Sequence, residues 1–229
     1  GSVTSKLGNL KIKIDEDIGI NYFSDYSFEN DYFIHENIAS DLIKKICPIL
    51  RKNNYDFGKI EVIFHQGACS STTEWDGKYL MANNYNYSKT LLNWSQRIKA
   101  QFIYASSSSV YGLKSENNVH EKMKLEPLTD YSKYKAQCEI ILSKYSSENF
   151  VTTTLRPATV CGYSPRQRLD VVVNILTNFA FHKREISIFG GEQSRPNIHI
   201  EDMVNSYLCL IKAPSKLINN EIFNVGFEN

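Results

Sequence analysis

From Lys59 onward, short β-rich runs alternate with longer helical patterns, and this alternation constrains the fold more than any other feature of the 229 residues. The strand-like runs are 60–65, 101–105, 151–155, 186–189 and 222–225. Helical spacing of apolar and small residues predicts helices over 83–98, 130–145, 171–181 and 201–211. Strands separated by helix-length segments call for right-handed crossovers and a parallel sheet covered by helices on both faces. The expected fold class is therefore α/β. Residues 1–58 read differently: they are rich in Asn, Asp, Lys and Tyr, with one helix expected over 38–51 and no G-x-G-x-x-G.

Composition excludes several partners. The 26 Lys+Arg balance 25 Asp+Glu, which removes the electrostatic reason to expect nucleic acid or an anionic membrane. No run of 18 apolar residues occurs, and the residues after Gly1-Ser2, which read as a cloning scar, lack the apolar core of a signal peptide. A soluble cytoplasmic protein is expected. Cys47, Cys69, Cys138, Cys161 and Cys209 are odd in number, widely spaced and form no C-x-x-C, so they are expected as small buried hydrophobes, with no disulfide framework and no metal site.

Two features carry chemistry. Tyr131 and Lys135 stand four apart at the start of the helix expected over 130–145, so they share one face, a turn apart. A cation beside a phenol favours the phenolate, which suits a general acid/base. Alone, the pair could equally be an exposed helix start. The second feature is Ala105-Ser106-Ser107-Ser108-Ser109-Val110-Tyr111-Gly112, directly after an expected strand. Ligands in open parallel sheets sit outside the carboxyl ends of strands, where hydroxyls can reach a substrate oxygen. A four-serine run by itself is more often a polar loop, but one crossover before Tyr131 it gains specificity. His65 and His199 are expected to be structural, Glu201 and Asp202 to cap a helix, and Trp75 with Tyr79 to Tyr87 to line a pocket or pack a core.

The serine-rich strand end, the Y-x-x-x-K, then Leu155-Arg156-Pro157-Ala158-Thr159-Val160-Cys161-Gly162 and Arg195-Pro196-Asn197-Ile198-His199-Ile200-Glu201-Asp202 follow one another in an order that resembles the extended short-chain dehydrogenase/reductase family of nucleotide-sugar epimerases and dehydratases, over about residues 60–226. Within it, Phe64-His65-Gln66-Gly67-Ala68-Cys69 and the residues through Gly77, with Asn83-Asn84-Tyr85 and Ser88-Lys89, are most similar to the ADP-L-glycero-D-manno-heptose 6-epimerases.

The resemblance implies a Rossmann-like parallel sheet covered by helices, and a catalytic set of Ser107, Tyr131 and Lys135. It implies that Gly67, Ala68, Asn84, Tyr131 and Lys135 hold NADP or NAD, with Asn84 holding either the sheet or the cofactor, that Ser108, Thr159, Asn174 and Arg195 face the substrate, and that the chain forms a homo-oligomer acting on a nucleotide sugar. The implied division is an atypical segment 1–58, a Rossmann-like core 59–160, and the start of a substrate-binding region 161–229 with a strand returning to the sheet. Ser108-Ser109 stand where 4,6-dehydratases show Asp-Glu, so dehydration is disfavoured. Arg168 stands where the heptose epimerases carry a lysine, and a guanidinium is a poor base. The usual first βαβ unit, with its glycine-rich phosphate turn, and the family's C-terminal end are missing from the pattern, so this chain is expected to bind NAD(P) weakly or not at all. The leading activity is epimerisation; a nucleotide-sugar ketoreductase and a non-catalytic sugar-nucleotide-binding domain stay open.

Overall fold

The computed structural model describes residues 60–69, 74–116, 118–164, 167–189 and 194–227. All of these lie within one compact unit. The helix expected over 38–51, Cys47 and the glycine pattern of residues 1–58 lie outside the described residues.

The strands among the described residues are β1 (Val62–His65), β2 (Gln101–Ala105), β3 (Thr152–Pro157), β4 (Thr159–Cys161), β5 (Asn197–His199) and β6 (Glu221–Val225). The helices are α1 (Gly77–Leu80), α2 (Tyr87–Ile98), α3 (Asp130–Tyr145), α4 (Val172–Lys183), α5 (Ile200–Lys212) and α6 (Ser215–Ile218). A π-wound segment, Met81–Asn86, joins α1 to α2, and a 3-10 turn, Ser108–Tyr111, follows β2. The main sheet runs β1-β2-β3-β6, every pair parallel, and β4 pairs with β5 in a second, two-stranded parallel sheet.

Side-chain alternation along β2 shows why both faces need helices. Phe102 and Tyr104 pack with Leu92 of α2 and with Cys138 and Leu142 of α3. Ile103, between them, joins Leu155 and the α5 residues Met203, Tyr207 and Leu210 in a separate cluster. A strand buried on both sides has to be apolar or β-branched throughout, as Phe102, Ile103, Tyr104 and the Thr152–Leu155 run are. Each such large side chain contributes about 1.5–3 kcal/mol on burial.

Helix α3 starts where its chemistry dictates. The Thr129 hydroxyl accepts from the Ser132 backbone N–H (3.2 Å), while the Ser132 hydroxyl accepts from the Thr129 N–H (3.1 Å). That reciprocal cap fixes the first turn, and with it the direction in which Tyr131 and Lys135 project.

The strand expected over 186–189 is absent. Ile186, Ile188 and Phe189 are 44%, 65% and 88% exposed, and no ladder partner lies beside them among the described residues. Branched and aromatic residues make a strand only where a neighbour takes up their backbone groups and side chains. Trp75, 92% exposed, packs in no core. Cys69 and Cys138 are buried as expected, whereas Cys209 is exposed. No described helix is long and apolar enough to cross a membrane.

Candidate active site

Lys135 lies at the junction of helix and sheet. Its Nζ donates to the carbonyl of Ala105, the last residue of β2, at 2.6 Å. It also sits 4.8 Å from the centre of the Tyr104 ring and 5.8 Å from that of Tyr131. Burial lowers its pKa to about 8, so the ammonium still carries most of its charge at neutral pH.

Two residues past Ala105, Ser107 caps the 3-10 turn. Its oxygen accepts from the Ser109 backbone N–H (3.2 Å) and from the Ser109 hydroxyl (2.9 Å). A hydroxyl has two acceptor positions and one proton. With both acceptors taken, the Ser107 hydroxyl has its proton left to present to a partner, and it draws the Tyr131 phenol toward ionisation. Gly112 ends the turn at φ +73°, a conformation that favours glycine.

Burial pushes the Tyr131 phenol upward; hydrogen bonding with Ser107 and the positive charge of Arg168 act in the opposite direction and are smaller. The sequence reading, in which Lys135 depresses this pKa, is corrected: the pKa is raised, because removing a phenolate from water outweighs the Ser107 hydrogen bond and the Arg168 charge. Tyr131 therefore rests as a phenol, which must ionise before it can take a proton.

The loop after β1 is held from α1–α2. Asn84, on the π-wound segment and 1% exposed, accepts from the Cys69 N–H (2.7 Å) and donates to the Cys69 carbonyl (3.0 Å). π-winding at such points commonly accompanies function. Asn84 thus clamps the loop that carries Gly67 and Ala68. A Cβ on Gly67 would meet nothing nearer than the His65 ring at 4.0 Å, so packing does not demand glycine there, and the backbone stays open to a bound group. An open loop at the end of β1, a hydroxyl at the end of β2 and a phenol–ammonium pair beside them fit the ribose and reactive ring of a dinucleotide.

Beneath this loop, Ser88 gives its single proton to the Asn84 carbonyl (2.6 Å), so the bond between Ser88 Oγ and His65 Nε2 (2.6 Å) must be donated by the imidazole. His65 is neutral; burial and then the charge of Lys135 lower its pKa from 6.5 to about 3. The unfolded chain binds a proton below pH 6.5 that the folded chain refuses down to about pH 3. Stability is therefore full above pH 6.5 and falls as pH drops, by about 1 kcal/mol per unit below pH 6. Urea unfolding at pH 7, 6 and 5 should show this slope, and His65→Asn should flatten it.

The remaining sequence candidates are more dispersed. Ser108 is half-buried within the 3-10 turn. Thr159 opens β4, opposite Asn197. Asn174 is buried and fastens its surrounding loop, donating to the Arg168 carbonyl (2.8 Å) and accepting from the Gly162 N–H (3.3 Å). Arg168 pairs with Asp170 (2.9 Å), and Arg195 lies exposed just before β5.

A second network escaped the sequence reading. Arg156 of β3 forms a bidentate pair with Glu139 of α3 (Nε 3.1 Å, NH2 2.6 Å), with side chains 3% and 4% exposed. The signals were present: Glu139 follows Tyr131 and Lys135 at helical spacing on the same face, and an arginine inside a buried β-branched strand needs a carboxylate.

The model of the NAD dependent epimerase/dehydratase family matches residues 49–226. The chain belongs to that family. The Alkalilimnicola ehrlichii ADP-L-glycero-D-manno-heptose-6-epimerase is 35% identical over 184 residues, covering 74% of this chain and 55% of the relative. Among solved family structures, the Helicobacter pylori ADP-L-glycero-D-manno-heptose-6-epimerase is 30% identical with a TM-score of 0.66, covering 79% of this chain and 56% of that one. The Bacillus cereus UDP-glucuronic acid 4-epimerase, solved in complex with NAD, is 30% identical with a TM-score of 0.67, covering 77% and 58%. This family member spans little more than half the length of these relatives, and its parallel sheet with flanking helices is the Rossmann-like arrangement expected.

Proposed function

We propose that the chain is a nucleotide-sugar epimerase that inverts one sugar carbon by transient oxidation and reduction. The meeting of Ser107, Tyr131 and Lys135 at the carboxyl end of β2, with hydroxyls rather than carboxylates at Ser108 and Ser109, supports this most directly. In its ionised form Tyr131 takes the proton of the sugar hydroxyl, and as the phenol it returns that proton; Ser107 shares it and fixes the oxygen, and Lys135 binds ribose hydroxyls with the donors its Ala105 bond leaves over. Bound NAD or NADP supplies reversible hydride storage. Gly67, Ala68 and Asn84 shape the loop that admits it. Thr159, at the end of a cofactor-binding core of 59–160, and Asn174 and Arg195, within the region 161–229 that follows it, serve the substrate side. The likeness to heptose epimerases favours an ADP-heptose, in either cofactor form.

The hydrogen at the inverted carbon then comes from the substrate, never from water. Epimerisation run in D2O should leave no deuterium at that carbon; full incorporation would mean a proton-abstraction mechanism and would overturn the reading. Ser107→Ala is expected to lower kcat by about 100-fold, within the range general acid–base partners supply, with nucleotide affinity nearly intact. Ser109→Ala should cost less, because it removes only the support of Ser107. The reverse order, measured by steady-state kinetics, would place the reacting hydroxyl two residues later.

A further inference from the structure

Ser107 and Tyr131 sit on different elements, one past the end of β2 and one on α3, and a shared proton requires that their separation be fixed. Both flanks of Ser107 lead to a single buried group. On the N-terminal side, the Ser106 hydroxyl donates to Glu139 Oε1. On the C-terminal side, Tyr111 closes the 3-10 turn, accepts from Arg156 NH1 (2.7 Å), and donates to Asn224 Oδ1 on β6 (2.6 Å). The Arg156 guanidinium lies 4.8 Å from the centre of the Tyr111 ring and also donates to the Glu121 carbonyl (3.0 Å). Glu139 itself is one helical turn beyond Lys135 on α3, so the helix that carries Tyr131 and the loop that carries Ser107 are tied to the same ion pair.

We propose that the Glu139–Arg156 pair is a positioning device, setting the Ser107–Tyr131 distance by holding Ser106 and Tyr111 on either side of Ser107. Glu139, Arg156 and Ser106 are buried, and in this arrangement they act through Ser107. The inference rests on the epimerase reading for its kinetic consequence but not for its geometry. A guanidinium suits this task because its fork engages a carboxylate with two N–H groups and still reaches two further acceptors in fixed directions.

The test uses the full chain with 3-fluorotyrosine, the Tyr131 fluorine resonance being assigned by its loss in Tyr131→Phe. Ser106→Ala and Glu139→Gln are expected to move that resonance in the direction produced by Ser107→Ala. They should lower kcat about 10-fold with KM within twofold, as small misplacements of a catalytic group do. Ser106→Ala combined with Ser107→Ala should be no slower than Ser107→Ala alone. An unmoved resonance with unchanged kcat in folded Ser106→Ala, or losses that multiply in the double variant, would overturn the proposal. Should Glu139→Gln fail to fold, Ser106→Ala carries the test, since it leaves the ion pair intact. Should the wild type show no epimerase turnover, the functional reading fails, while the fluorine resonance still decides the positioning.

Discussion

Replacing Tyr131 with phenylalanine is expected to lower turnover by about 100-fold or more while leaving thermodynamic stability almost unchanged. The ring stays and keeps its place beside Lys135, so packing is preserved. What is lost is the oxygen that Ser107 addresses and the proton that a sugar hydroxyl must exchange. Burial holds this phenol protonated in the resting site. Steady-state kinetics alongside urea unfolding separates the two effects. Near-full activity in Tyr131→Phe would mean that the acid/base group has been misassigned.

Arg156→Ala is expected to be the most damaging single change to the fold, costing about 3–5 kcal/mol. It strands the Glu139 carboxylate in a site only 4% exposed and leaves the Tyr111 hydroxyl and the Glu121 carbonyl without their donor. For a chain of this size, the loss lowers Tm by about 10 °C. Removing both charges in Arg156→Met/Glu139→Leu should cost far less, because an apolar pair needs no desolvation. Differential scanning calorimetry of the two variants checks this. A cost below about 1 kcal/mol for Arg156→Ala would show that water reaches the pair and screens it.

How much of this was legible before any coordinates depends on whether the determining interaction is local. Strand β2 and helix α3 read cleanly, since an apolar five-residue run and a capped helix start are each specified by neighbours in sequence. The pairing of Ser107 with Tyr131 was legible too, because strand-end loops and the next helix start meet on the same edge of a parallel sheet. Residues 186–189 misled for the opposite reason. Their composition suits a strand, but strand formation is decided by a partner elsewhere in the chain, and the described structure places none there. Asn84 lay between two readings, sheet support or cofactor contact. Its clamp on Cys69 depends on a π-wound turn that no helical spacing rule anticipates. The upward direction of the Tyr131 pKa was not legible, because Lys135 is visible at i+4 whereas the burial that raises it is not.

As proposed, this chain inverts a sugar carbon with Tyr131 as proton carrier and no net redox change. The most direct measurement is NMR of a nucleotide-sugar panel, with ADP-heptose and UDP-hexuronic acid among its members, incubated with the chain at high NAD or NADP while absorbance follows the reduced cofactor. One substrate is expected to approach an equilibrium of two epimers, with reduced cofactor never exceeding the enzyme concentration and almost no conversion by Tyr131→Phe. Accumulation of oxidised sugar matched by reduced cofactor would contradict it.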